Sequence, residues 1–186
     1  MKHYCLNLKH RSDRWELARA EFKKHLLHVE RFEAIEHENR VLSFNLSMVA
    51  ILKQSVNGVT IFEDDVLFVN DQFHVHYYNA PKEWDLLYYG GNVLEDLKHH
   101  SGVWWECLHT WTTHAVSYSQ RVVEYILDNF DPHGGIVFDD YLKNEIQPKF
   151  RAYICKPYVC IQRESFSDLW QQNAFYALLE TQNKLK

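Results

Sequence analysis

Val59-Thr60-Ile61-Phe62-Glu63-Asp64-Asp65 is the stretch on which the reading of the chain turns. Its apolar and β-branched start predicts a strand covered on both faces, the pattern of a central strand in a parallel sheet. The strand then ends in three adjacent carboxylates. Crowded like charges raise one another's pKa and cost stability unless something positive stands near them. Mg2+ or Mn2+ is one remedy, because hard cations prefer oxygen ligands and often share them with a phosphate. A solvated turn, or carboxylates capping a following element, also accounts for an acidic triplet. Its place between the apolar run and Val66-Leu67-Phe68 favours a site.

Upstream, Phe44, Met48, Ile51, Leu52 and Val56 recur at helical spacing, and Asn57-Gly58 supplies the stop. Residues 3–8 read as a short buried strand and residues 29–32 as a second one. Between them, Asp13 and Glu16 form a capping box for a helix whose apolar face is Trp15, Ala18, Phe22 and Leu26. Downstream, a strand over 84–89 is stopped by Gly90-Gly91-Asn92. A polar loop follows over 93–101, then strands near 103–108 and 113–118. Ser117 and Gln120 are positioned to cap a helix carrying Val122, Val123, Ile126, Leu127 and Phe130. Pro132-His133-Gly134-Gly135 breaks the chain. A short helix over 139–146, a strand over 152–155 and a C-terminal helix complete the pattern.

Strands alternating with helices predict an α/β fold with a mostly parallel central sheet and helices on both faces. A length of 186 residues fits one domain. Ligands of such sheets sit at the carboxyl ends of the strands.

The formal net charge is −5 and the basic residues are dispersed, so no stripe exists to neutralise the phosphates of a nucleic acid. Aromatics reach 15%, which serves a core and equally a cleft for the apolar faces of a sugar. Cys5, Cys107, Cys155 and Cys160 lack paired short spacings and read as reduced core thiols. The chain opens without a signal-peptide pattern, and no apolar run approaches the ~20 residues that cross a bilayer. A cytoplasmic protein is expected.

Several segments, in order, resemble one family. They are Arg11-Ser12-Asp13-Arg14 after the first strand, Arg31-Phe32-Glu33-Ala34-Ile35, Phe62-Glu63-Asp64-Asp65-Val66, Thr113-His114-Ala115 with Ser117, Asp139-Asp140-Tyr141-Leu142, and Gln162 with Phe166-Ser167-Asp168. Together they are similar to the family 25 glycosyltransferases, the lipooligosaccharide and collagen galactosyltransferases, over nearly the whole chain. The resemblance implies a GT-A fold and a metal-dependent, inverting transfer of a hexose, galactose first, from a UDP-sugar. The acceptor would be a carbohydrate or glycoprotein, in lipopolysaccharide or glycoprotein glycan synthesis. A homo-oligomer is compatible with it.

On that resemblance Asp65 and Gln162 would hold Mn2+ or Mg2+, with Glu63 and Asp64 orienting the metal or the donor ribose. Arg11 and Arg14 would meet the diphosphate, since the guanidinium fork suits phosphate oxygens; a solvated first helical turn is the bland alternative. Asn7 would help hold the nucleotide, and Gly91 and Asn92 would let backbone approach the donor sugar. Asp139, or Asp140 if the register shifts by one, would be the general base that an inverting transfer needs, although an Asp there is also a good N-cap. Where the family carries Gly-Cys before Leu-Ser-His, this chain has Ser43-Phe44-Asn45-Leu46-Ser47-Met48. That departure admits a non-catalytic sugar- or nucleotide-binding relative. A metal-dependent phosphoryl-transfer enzyme built on the same carboxylates is a third reading.

Overall fold

In the computed structural model, which describes residues 1–55, 57–169 and 171–174, the chain alternates strands and helices through its first half. The expected C-terminal helix and Val56 lie outside the described residues. Along the chain, β1 (Lys2–Asn7) leads to α1 (Ser12–Lys24), β2 (Glu30–Glu33), α2 (Arg40–Lys53), β3 (Val59–Glu63) and β4 (Val66–Phe68). Next come α3 (Phe73–Tyr78), β5 (Leu86–Tyr88), β6 (Asn92–Val93), β7 (Lys98–Ser101), β8 (Trp104–Glu106), β9 (Thr110–Trp111) and β10 (Ala115–Tyr118). The rest comprises α4 (Gln120–Asn129), α5 (Phe138–Tyr141), a π-helical turn at Leu142–Ile146, β11 (Ala152–Cys155), β12 (Cys160–Gln162), β13 (Ser165–Ser167) and β14 (Gln172–Ala174).

Eight strands form the central sheet in the order β2-β1-β3-β10-β5-β11-β8-β7. Only β10 and β8 run against the other six, so the sheet is mostly parallel and the fold is α/β. The reversed strand matters for the site. Because β10 is antiparallel to β3, the residues entering it arrive at the carboxyl end of β3, where Glu63 N donates to His114 O at 3.0 Å. Gln162 comes to the same edge through a small ladder in which it pairs with Val66.

Period-2 alternation assigns the core residues of β3 to two faces. Val59 and Ile61 join Met48, Ile51 and Leu52 of α2 and Val122, Val123 and Ile126 of α4. Phe62 faces the other way, with Ala18 and Phe22 of α1, Phe68 and Phe73. Covering both faces is what a continuous apolar strand requires.

Local expectations fail where tertiary partners compete. Arg11, without a side-chain cap bond, precedes α1, and Asp13 binds the Arg11 guanidinium instead of closing a capping box. Leu26 is 88% exposed, just beyond the helix. Ser119 caps α4, accepting from Val122 N at 3.3 Å. Ser117 lies inside β10 and shares a 2.7 Å hydrogen bond with Thr60. The span 93–101 is not a bare loop, since β6 pairs with β9 and β7 is an exposed edge strand on β8. The helix expected over 139–146 is α5 followed by the π-helical turn.

Candidate active site

A cavity of about 670 Å3 opens at the carboxyl ends of β1 and β3. Asn7, Arg14, Glu63, Asp64, Asp65, Asn92, Asp139, Asp140 and Gln162 all line it. Nine of the eleven residues singled out in the sequence therefore line one cavity, while Arg11 and Gly91 do not.

Glu63 ends β3 and Asp64 and Asp65 lie in the turn after it, so the three carboxylates do not all share one partner. Asp64 Oδ2 accepts from Asn7 Nδ2 at 2.5 Å, and Asp64 Oδ1 forms an ion pair with Arg14 Nη2 at 2.5 Å. Burial raises its pKa, and the Arg14 charge and Asn7 hydrogen bond pull the other way. Asp65, 6% exposed, is pushed up to about 6, chiefly by burial. Its Oδ2 lies 3.2 Å from Arg14 Nη2 and 3.4 Å from Gln162 Nε2. The positive charge that an acidic triplet demands is thus supplied, for two of its members, by an arginine from α1.

Glu63 turns towards β10 and α5. Thr113 Oγ1 lies 2.7 Å from Glu63 Oε1 and 2.9 Å from Asp139 Oδ1. Burial, with Asp65 and Asp139 nearby, raises Glu63 well above the usual carboxylate range. Asp139 is pushed up to about 6, first by burial. Asp140 sits at the rim, accepting from Trp111 Nε1 at 2.9 Å and Lys143 Nζ at 3.1 Å. The Lys143 ammonium also stands 3.7 Å from the Trp111 ring centre. Trp104 is 1% exposed and in the core, whereas Trp111 is 37% exposed and lines the cavity, where its ring is available to a sugar face.

Arg11 is held by Asp13 and Asp168, so its fork is already occupied by carboxylates. Gly91 is buried. A Cβ there would approach Thr110 Cγ2 to 2.7 Å and Trp111 O to 3.1 Å, so close packing by itself accounts for a glycine at this position. His114 is fully buried, bonded to Cys160 O at 3.2 Å, and lowered to about 4 by burial, while His109 pairs with Glu95 at the surface.

Sequence reasoning passed over two contributors. Arg31 Nε donates to Asn7 Oδ1 at 2.8 Å, which fixes the amide so that Nδ2 faces Asp64. Thr113 joins Glu63 to Asp139. Both residues fall within stretches of the family resemblance, yet their roles depend on strands that meet only in the fold.

The donor chemistry suits a hard divalent cation. Asp65 Oδ1 and Gln162 Oε1 are buried acceptors without a hydrogen-bond partner among the described residues. No group of three or more His, Cys, Asp or Glu side chains able to hold a metal occurs among the described residues. Two oxygens are therefore the chain's own offer, and the remaining ligands would come from phosphate and water, as is usual for Mg2+.

No protein-family model and no curated protein matches the chain. Solved structures resemble it in fold. A glycosyltransferase involved in the glycosylation of the major capsid of PBCV-1 gives a TM-score of 0.56 at 8% identity, over 84% of this chain and 81% of that one. A putative glucose-1-phosphate thymidylyltransferase from Bacillus anthracis, in complex with a sucrose, gives 0.55 at 11% identity, over 100% and 96%. A mutant of Drosophila β1,4-galactosyltransferase 7, in complex with manganese, UDP-Gal and xylobiose, gives 0.52 at 10% identity, over 93% and 69%. The shared feature is a GT-A-like α/β fold. Identities this low show the fold alone.

Proposed function

We propose that the chain, read as a single domain, is a nucleotide-sugar-dependent glycosyltransferase. The observation that carries this reading is the cavity at the carboxyl ends of β1 and β3, in which Asp65 and Asp139 stand on separate supports. One carboxylate is held by Arg14 and Gln162 beside orphaned oxygens, and the other by Thr113. A transferase needs those two functions, one for a diphosphate and its counter-ion and one for a proton. No helix among the described residues is long and apolar enough to cross a membrane.

In this reading Arg14 donates to the diphosphate oxygens, Asn7 helps hold the nucleotide, and Asp64 orients the metal or the donor ribose. Asp65 and Gln162 would hold Mn2+ or Mg2+, which supplies charge neutralisation to the leaving diphosphate when bound. Asp139 accepts the proton of the acceptor hydroxyl as that oxygen attacks the anomeric carbon. A base whose pKa is about 6 is deprotonated near neutral pH and still basic enough to act. Trp111 at the rim offers a face for the acceptor sugar. The motif resemblance to family 25 makes UDP-galactose the first donor to try and inversion the expected stereochemistry, with a carbohydrate or glycoprotein acceptor.

The test is calorimetric titration of UDP with and without Mn2+, alongside UDP release from a panel of UDP-sugars. Binding followed by turnover of one sugar is expected. Absence of binding by UDP and other nucleoside diphosphates would reduce the resemblance to fold.

A further inference from the structure

We propose that Arg14 is a tethered counter-ion that competes with the divalent cation for Asp64 and Asp65, and so sets how strongly the site depends on metal. The inference deepens the transferase reading and rests on it for the identity of the nucleotide only.

The geometry is specific. Arg14 Nη2 lies 2.5 Å from Asp64 Oδ1 and 3.2 Å from Asp65 Oδ2, and Nη1 lies 3.6 Å from Asp168 Oδ2. The residue is only 9% exposed, so its charge acts in a partly desolvated setting where Coulombic attraction is several times stronger than in water. It reaches this place from the first turn of α1, which packs against the face of β3 carrying Phe62. Asp65 Oδ1 and Gln162 Oε1 remain buried and without a hydrogen-bond partner among the described residues. One carboxylate therefore shows an oxygen already committed to a cation and an oxygen still vacant.

A guanidinium fixed against two carboxylates does electrostatically what a metal does there, without needing six oxygen ligands. Its presence lowers the negative potential that would draw in a free cation. Metal must then bind against a nearby positive charge. That cost shrinks when a diphosphate arrives, because its own charge offsets Arg14 and its oxygens complete the coordination. The consequence is weak metal binding by the free protein and mutually reinforced binding of metal and nucleotide, a coupling that must be reciprocal. Removing the guanidinium frees Asp64 and Asp65 together.

The experiment measures Mn2+ affinity from the paramagnetic resonance signal of the free ion, with no turnover involved. The proteins are wild type, Arg14→Met, Arg14→Gln and a control, Arg19→Gln, which deletes an exposed arginine paired with Glu16. Each is measured with and without UDP. Without UDP, Arg14→Met and Arg14→Gln should bind Mn2+ about tenfold more tightly than wild type, while the control stays within about threefold. Equal or weaker binding in whichever Arg14 variant folds would overturn the inference. Wild type discriminates unaided: about 1 mM Mn2+ alone should leave its Tm unchanged, and a clear rise would overturn the proposal. The UDP arm separates the two readings. If UDP fails to tighten Mn2+ in every protein while the Arg14 variants bind it better, the counter-ion stands and the nucleotide-sugar reading falls. If UDP binds wild type and the Arg14 variants match wild type for Mn2+, only the counter-ion falls.

Discussion

Thr113 Oγ1 lies 2.9 Å from Asp139 Oδ1, and the same oxygen lies 2.7 Å from Glu63 Oε1. A hydroxyl has one proton to donate, so it can satisfy only one of these carboxylates as a donor. The arrangement couples the end of β3 to the start of α5 and fixes the Asp139 side chain at the cavity wall. Thr113→Val, which keeps the shape and removes the hydroxyl, should lower kcat about tenfold or more. Thr113→Ser should retain most of the wild-type rate. Steady-state kinetics of the two variants, with the KM for donor followed in parallel, checks this; equal loss in both would reduce Thr113 to a packing role.

Asp139 as general base fixes the direction of a pH effect. Burial raises its pKa to about 6, and only the deprotonated form accepts a proton. The rate should therefore be full above that value and fall with unit slope as pH drops below about 6. Asp139→Asn should lower kcat by about 10²-fold or more and abolish that limb while UDP still binds. A pH–rate profile of both proteins is the measurement. An unaltered acidic limb in Asp139→Asn would move the role elsewhere, with Asp140 the next candidate.

Asp65→Ala should abolish metal-dependent donor turnover. The stability cost should be modest, since Arg14 keeps Asp64 as a partner at 2.5 Å and is not left as an unpaired buried charge. Thermal melting together with UDP release tests both halves. Turnover equal to wild type would remove Asp65 from the metal site.

Gly90 carries a structural demand that is independent of chemistry. A Cβ there would lie 1.9 Å from the carbonyl oxygen of Cys160 and 3.1 Å from His114 Nε2. The Cys160 amide meanwhile donates to Tyr89 O at 2.9 Å, so the backbone cannot retreat without losing that bond. Gly90→Ala should cost about 3 kcal/mol or more, read as a drop in the denaturation midpoint. A midpoint equal to wild type would contradict the close approach.

The sequence by itself determined the features that short-range physics controls. The β3 run and its acidic ending, the apolar stripes of α2 and α4, and the strand Ala152–Cys155 could all be read directly. Each depends on a period of 2 or 3.6 and on neighbours within a turn or two. The family-like motifs went further, and most of the site residues named with them line the cavity. Caps were less secure, as Ser119 in place of Ser117 shows, because several hydroxyls near a helix start compete for one orphan amide. The exposed strand β7 was also hidden, since an edge strand on the surface carries no apolar alternation.

Only the tertiary structure decided what the carboxylates meet. Arg14 beside Asp64 and Asp65, Thr113 between Glu63 and Asp139, and Arg31 on Asn7 all join segments far apart in the chain. Those meetings depend on strand order, above all on β10 entering antiparallel beside β3. Local sequence holds no information on that order, because the partner of a charge is chosen by how the sheet assembles and not by the residues next to it.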